Sequence, residues 1–298
     1  MATINIQFTL FSAFYSPLIA TMCAGFLKRE GLDYEWSVSP AGVSAVEAIV
    51  DGSAQVIQSA PSHGFSALQN GAARSPVVHF AQVNEMDGFF ITGRDADAAF
   101  SWDKLEGAEV VMFGGGQPNA MFRYACHRAG VDYDKIIPIT PGGPNDIDQA
   151  FRAGQGQYVL QQGPYPQQLE AENLGQVLAQ VGVMIGPCAF SSLAASREWL
   201  QTDMARAFTR AYARARRYLN DTPAQEIAAA ELPFFNGISA ATLARCISSY
   251  QQLGCWTPHV EITRQAFEVT LDVYQYIGGI DQRYDYDQVC SAPPQVSA

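Results

Sequence analysis

Thr3-Ile4-Asn5-Ile6-Gln7-Phe8-Thr9-Leu10, followed by Ser16-Pro17-Leu18-Ile19-Ala20-Thr21-Met22, sets the grammar of the chain. Apolar and polar side chains alternate over the first stretch, which is the period of a half-buried strand. Pro17 then suits the first turn of a helix, with Ser16 as its cap. Leu18, Ile19, Met22, Phe26 and Leu27 give that helix an apolar face, and Gly31 ends it. Outward from here the pattern repeats. Residues 32–38 read as a strand, 43–50 as a short helix, 54–58 as a strand, 61–70 as a helix and 76–83 as a strand. Strand and helix alternate from the start, which predicts an α/β fold with parallel strands, because parallel neighbours need a crossover.

A second unit follows. Residues 88–93 and 109–113 read as strands, with a helical turn at 102–105 between them. Gly114-Gly115-Gly116-Gln117-Pro118-Asn119 opens a helix reaching about Arg128. Residues 135–139 are a strand, and Pro141-Gly142-Gly143-Pro144-Asn145-Asp146 opens the next helix with Asn145 as a cap. Residues 157–161 and 176–183 are further strands. Beyond Ser196 the pattern is helical only: Met204, Phe208, Ala211, Ala215 and Leu219 recur at helical spacing, as do Ile262, Ala266, Val269, Val273 and Tyr276. Arg206, Arg210, Arg214, Arg216 and Arg217 read as a solvated face, and the tail from Arg283 as loosely held.

The chain has 298 residues, 48% hydrophobic and 16% charged, which suits two lobes or one large one and argues against disorder. Its net charge of -11 lacks the basic footprint of a nucleic-acid partner and suits an anionic membrane surface poorly. No apolar run reaches the length of a membrane span. Residues 1–10 carry neither the basic nor the apolar part of a secretory signal. As written the chain is expected in the cytoplasm, or in the periplasm if a signal was removed. The six cysteines are scattered, with no CxxC pair and no zinc spacing, so neither a metal nor a cofactor is expected.

The order of pieces resembles the type II periplasmic-binding-protein fold. More narrowly it is similar to the nitrate/sulfonate/taurine-type binding proteins and to the thiamine-pyrimidine-precursor synthases. The segments that carry this are residues 24–32 (AGFLKREGL), 45–56 (AVEAIVDGSAQV), 70–77 (NGAARSPV), 102–110 (WDKLEGAEV), 129–131 (AGV) and 150–154 (AFRAG). They run in the family's order over residues 3–195. Gln55 and Gln157 depart from it, since the family usually has Asp there. The resemblance implies two lobes joined by crossovers near 83–88 and 183–190. One lobe would comprise residues 1–85 plus 188–298, the other 86–187, with ligand in the cleft between them.

Open α/β sheets bind ligands at the carboxyl ends of their strands. That rule picks out Phe11, Ser12, Phe14, Tyr15 and Ser16, whose aromatic rings can stack on a planar ligand, although Phe11 and Phe14 read equally well as core. It also picks out the turn Ser39-Pro40-Ala41-Gly42. Ser59 and His63 follow the third strand. His63 falls in the first turn of a helix, whose dipole would favour the neutral imidazole. In the precursor synthases the matching histidine is consumed as substrate, and a lysine four residues earlier holds pyridoxal phosphate. Here that earlier position is Ser59, and the cysteine-dense run of those enzymes is reduced to Cys188. Gly114, Gly115 and Gly116, with Gln117 and Asn119, make a candidate anion cradle of backbone N–H groups, and a plain turn is the other reading. It is no Walker loop. Asn84 and Glu85 sit at the first crossover; Gln161 and Tyr165 end a later strand. Cys188 lacks an assignable base.

Two functions follow as expectations. The first is a binder that closes over a small, planar or anionic molecule, with a membrane transporter as partner if the chain is exported. The second is a cytoplasmic enzyme on the same fold, with His63 as its catalytic residue. The missing lysine and cysteine cluster favour the binder, and no DNA-binding segment supports a regulatory module.

Overall fold

The computed structural model describes residues 1–40 and 42–295. Ala41 of the expected cleft turn and residues 296–298 of the tail lie outside the described residues. Among the described residues ten strands build two five-stranded sheets. They are β1 Ala2–Phe8, β2 Leu32–Val38, β3 Val56–Ser59, β4 Val78–Asn84, β5 Phe89–Gly93, β6 Glu109–Val111, β7 Ile137–Ile139, β8 Tyr158–Gln162, β9 Gln176–Gln180 and β10 Ser191–Ala195. The first sheet runs β2-β1-β3-β10-β4 and the second β7-β6-β8-β5-β9.

The sheets are mixed, where strand and helix alternation alone suggested parallel ones. β1 pairs parallel with β2 and β3, and β6 with β7 and β8. β10 runs antiparallel between β3 and β4, and β5 antiparallel between β8 and β9. The reason is connectivity: β5 arrives directly from the first sheet and β10 directly from the second, so each enters against the local strand direction. The two passages occupy residues 85–88 and 181–190.

The alternation of β1 survives intact, with Ile4, Ile6 and Phe8 buried. Gln55 and Gln157 perform one job in the two sheets. The Gln55 side-chain carbonyl accepts the Asn5 N–H of β1 at 2.8 Å, and that of Gln157 accepts the Glu109 N–H of β6 at 2.7 Å. An amide oxygen serves there as well as a carboxylate would.

Several local expectations are corrected. Ser16 is not the cap: Ser12 caps the 3-10 turn Ala13–Tyr15, accepting the Phe14 N–H at 3.1 Å, and Ser16 is the first residue of the helix Ser16–Cys23. Asn145 is not the cap either; Gly143 is, its N–H bound by Asp146 at 2.9 Å. The strand expected over 176–183 stops at Gln180, and Val181–Ile185 is helical. Gly182 packs against the other crossover, where a Cβ would lie 2.3 Å from the Asp87 carbonyl oxygen, so the chain must turn.

The tail is held rather than loose. β4 is an edge strand, and edges need covering. Ser291 N–H binds the His79 carbonyl at 2.9 Å, Ser75 N–H binds that of Gln288 at 2.9 Å, and Tyr284, Tyr286, Val289 and Cys290 are buried. Arg216 is likewise no surface residue. It is fully buried in the helix Asp203–Asp221, and its guanidinium binds the carbonyls of Gln82, Val83 and Thr257. Arg210 and Arg214 converge on Glu30 and hold its carboxyl below the usual range, against the opposing effect of burial.

Candidate functional site

The carboxyl ends of β1, β3 and β8 meet the start of the helix Gly116–Ala129 around a cavity of about 130 Å3. Thr9, Leu10, Tyr15, Gln58, Ser59, Ala60, His63 and Ser191 line it from the first sheet's side. Gln117, Pro118 and Gln162 line it from the second. A smaller chamber of about 20 Å3 adjoins it, walled chiefly by Phe11, Phe89, Phe113, Pro144 and Tyr165. Leu10 and Gln162 border both.

The floor is built on one amide. Gln58 accepts the N–H groups of Thr9 and Leu10 at 3.2 and 3.4 Å, and donates to the Ser191 hydroxyl at 2.9 Å. Ser191 donates in turn to the Ser59 carbonyl at 3.0 Å. The ends of β1, β3 and β10 are thereby fixed relative to one another. Ser59 Oγ lies 2.9 Å from His63 Nδ1. With the hydroxyl donating, the ring proton sits on Nε2, which has no partner among the described residues.

His63 stands in the 3-10 turn Pro61–Gly64, which runs directly into the helix Phe65–Gln69, so it lies in the first helical turn after β3. Its ring is crowded by protein on most sides yet opens on solvent in the cleft. The crowding removes water from the imidazolium and holds the pKa below the ordinary imidazole range. The ring is therefore neutral near pH 7, crowded by protein around one open face. Burial also pushes the Tyr15 phenol up, so it stays protonated as a donor.

The two halves are tied across the cleft. Ser62 Oγ donates to Gln117 Oε1 at 2.8 Å, and Gln117 Nε2 donates to the Phe190 carbonyl at 2.6 Å. Ser12 Oγ donates to the Gly163 carbonyl at 2.7 Å. Tyr250 OH accepts the Gly163 N–H at 2.7 Å and donates to the Gly88 carbonyl at 3.1 Å.

Of the residues singled out from sequence, Tyr15, Ser59, His63 and Gln117 line the main chamber, and Phe11, Ser12, Gln161 and Tyr165 the smaller one. The others do not line either. Phe14 is core, its ring filling the space where Gly88 lacks a Cβ. Ser16 bonds Glu231 and the Ala13 carbonyl. Ser39 is bound to Gln7 at 2.9 Å. Asn84 accepts from Trp256 Nε1 at 2.8 Å, and Glu85 is engaged by His259 and Thr263. Gly114, Gly115 and Gly116 face solvent, because the helix that follows brings Gln117 and Pro118 to the cavity instead. Asn119 binds Tyr133 OH at 2.7 Å. Cys188 is fully buried, and burial beside Asp87 and Glu85 raises its thiol far above reactivity. Reasoning from sequence missed Gln58, Gln162, Thr9, Leu10, Phe190 and Ser191. The first two stand next to residues it did select.

Comparison with known proteins agrees with this architecture. YtlA of Bacillus subtilis (strain 168), provisionally named a binding protein, is 24% identical over 282 residues, 93% of this chain and 84% of its own. The ligand-binding component of an ABC-type import system from Staphylococcus aureus, solved with zinc bound, superimposes with a TM-score of 0.76 at 13% identity, covering 98% of this chain and 97% of that one. The alkanesulfonate-binding protein SsuA from Xanthomonas axonopodis pv. citri, bound to MOPS, superimposes with a TM-score of 0.74 at 16% identity over 98% and 99%. These likenesses identify the fold as that of type II periplasmic binding proteins. The model of the NMT1-like family matches residues 9–232, and the chain belongs to that family.

Proposed function

We propose that this protein binds a small molecule in the cavity between its two sheets. The observation that carries the reading is the lining itself: one chamber is walled from both sheets, and the ties Ser62–Gln117 and Ser12–Gly163 span it. A ligand held there touches both sides and stabilises their approach. On this reading residues 1–85 with 188–298 form one lobe and 86–187 the other, hinged at the two passages. Tyr15, His63, Gln117 and Gln162 hold the polar part of the ligand, with Ser59 orienting the His63 ring, and Phe11, Phe113 and Tyr165 hold its apolar part.

The proteins named as binding components of import systems extend the proposal. The chain would act outside the cytoplasmic membrane and hand its ligand to a membrane transporter. Among the described residues no helix is long and apolar enough to cross a membrane itself. The enzymatic alternative has less support, since the position that would carry a lysine is Ser59, and its hydroxyl is spent on His63.

Native mass spectrometry of the purified chain tests the proposal. A bound mass that disappears on denaturation is expected. Bare polypeptide, together with no thermal shift from any small molecule offered, would overturn it.

A further inference from the structure

We infer that the cleft selects an uncharged ligand about one ring in size, planar, with a hydrogen-bond donor and an acceptor on its polar edge, and discriminates against anions. The inference rests on the binding reading above and names its substrate class.

The first ground is charge. Neither chamber is lined by Arg, Lys, Asp or Glu, and the one titratable base, His63, is held neutral by its surroundings. A buried anion needs a cation or a cluster of free donors to replace its lost hydration. The backbone N–H groups that would form a cradle are already used or misplaced, and the free donors that remain are neutral side chains, the Tyr15 hydroxyl and His63 Nε2–H. The Thr9 and Leu10 N–H groups point to Gln58 Oε1. The glycines 114–116 lie in solvent, outside both chambers. Pro118, at the helix start that does reach the cavity, has no N–H to give.

The second ground is a set of unsatisfied amides. Gln162 is 7% exposed and borders both chambers; its amide stands beside the Tyr15 hydroxyl without closing a hydrogen bond, and its Oε1 has no partner among the described residues. Gln161 is 2% exposed and lines the smaller chamber; its amide stands beside the Asp148 carboxylate without closing a hydrogen bond. Buried amide groups left open are costly unless something completes them. An amide edge offers one donor and one acceptor, so its best complement is another edge of the same kind, and such a complement is neutral.

The third ground is size and shape. A cavity of about 130 Å3 is close to the ~150 Å3 space that accommodates benzene in an engineered protein core. Phe11, Phe89, Phe113, Pro144 and Leu10 make the adjoining walls flat and apolar.

The test uses matched pairs that differ in charge but little in shape: nicotinamide and nicotinate, benzamide and benzoate, pyrazinamide and pyrazinoate. Calorimetric titration of the full chain at pH 7.5 should show the neutral member of at least one pair binding tenfold or more tighter than its anion. Gln162→Lys, checked for folding by its melting curve, should move that ratio at least tenfold toward the anion. If Gln162→Lys fails to fold, the wild-type ratios alone decide. An anion bound as tightly as its neutral partner, or a ratio unmoved in a folded Gln162→Lys protein, overturns the inference. Silence from all six probes also overturns it. Native mass spectrometry then separates the two failures: a co-purified ligand keeps the binding reading, and bare polypeptide removes both.

Discussion

Ser62 Oγ donates to Gln117 Oε1 at 2.8 Å, so a side chain from the first sheet's half holds one from the second directly over the cavity. Gln117 completes the link by donating to Phe190 at the second passage. A latch of this kind acts on the closed state and contributes little to the folding of either half. Gln117→Ala removes two hydrogen bonds, each worth about 0.5–1.5 kcal/mol net. The dissociation rate of a bound ligand should rise about tenfold, while the urea midpoint moves little. Stopped-flow displacement reads the first and denaturation the second. An unchanged dissociation rate would show that the contact is incidental.

His63 and Ser59 form a polar pair in the main chamber that joins the end of a strand to the turn after it. Ser59→Ala frees the ring to reorient, and His63→Ala removes it. His63→Ala should weaken binding by tenfold or more, and Ser59→Ala by less, since it costs orientation only. Both effects should be read by titration with the ligand recovered from the purified protein. Equal affinity in all three proteins would take His63 out of the site.

Arg216 is a structural test. Its guanidinium serves the carbonyls of Gln82, Val83 and Thr257 and the Thr257 hydroxyl, with no exposure to solvent. Arg216→Met leaves several buried acceptors without a donor, each costing about 1–3 kcal/mol. Arg216→Lys restores charge but not the planar fork, and should recover only part of the loss. Chemical denaturation should place the three proteins in the order Arg, Lys, Met. A Met variant as stable as the parent would contradict the buried clamp.

That arginine also marks a signal the sequence reading passed over. At about 100° per residue Arg206, Arg210, Arg214 and Arg217 share one face, whereas Arg216 falls on the apolar side beside Ala205 and Tyr212, and grouping the five by charge hid it. The order of elements was legible, because strand alternation in residues 3–10 and the segments around Gly31, Gly52 and Gly130 are local signals. So were Ser59, His63 and Gln117, which follow strand ends directly. The mixed sheets were not, since the direction of β5 and β10 depends on which sheet the chain has just left. The glycine loop misled for a similar reason. Its composition suits an anion, but the angle of the following helix decides which residues of that loop meet the cavity. Gln58 and Gln162 carry no spacing signature, and their importance appears only once three strand ends converge.

His79 supplies the pH test. It is fully buried on β4, with Nδ1 2.7 Å from Ser192 Oγ and no partner for Nε2 among the described residues. Burial, with a smaller contribution from nearby His63, pushes its pKa down to about 3 from 6.5. In the unfolded chain the imidazole protonates near its ordinary value, so between pH 6.5 and 3 the unfolded state binds the extra proton. Stability is then full above about 6.5 and falls as the pH drops through that window, by at most about 1.4 kcal/mol per unit. Two buried carboxyls act in the opposite direction. Asp87, raised to about 7, and Glu231 bind protons more readily when folded, so their contribution is lost as the pH rises. His79→Gln leaves both in place and removes only the imidazole. Between pH 7 and pH 4 the parent should therefore lose more stability than His79→Gln, with the gap widening steadily toward acid. Parallel urea-unfolding curves across that range, offset by a constant, would mean that His79 does not stay neutral in the fold.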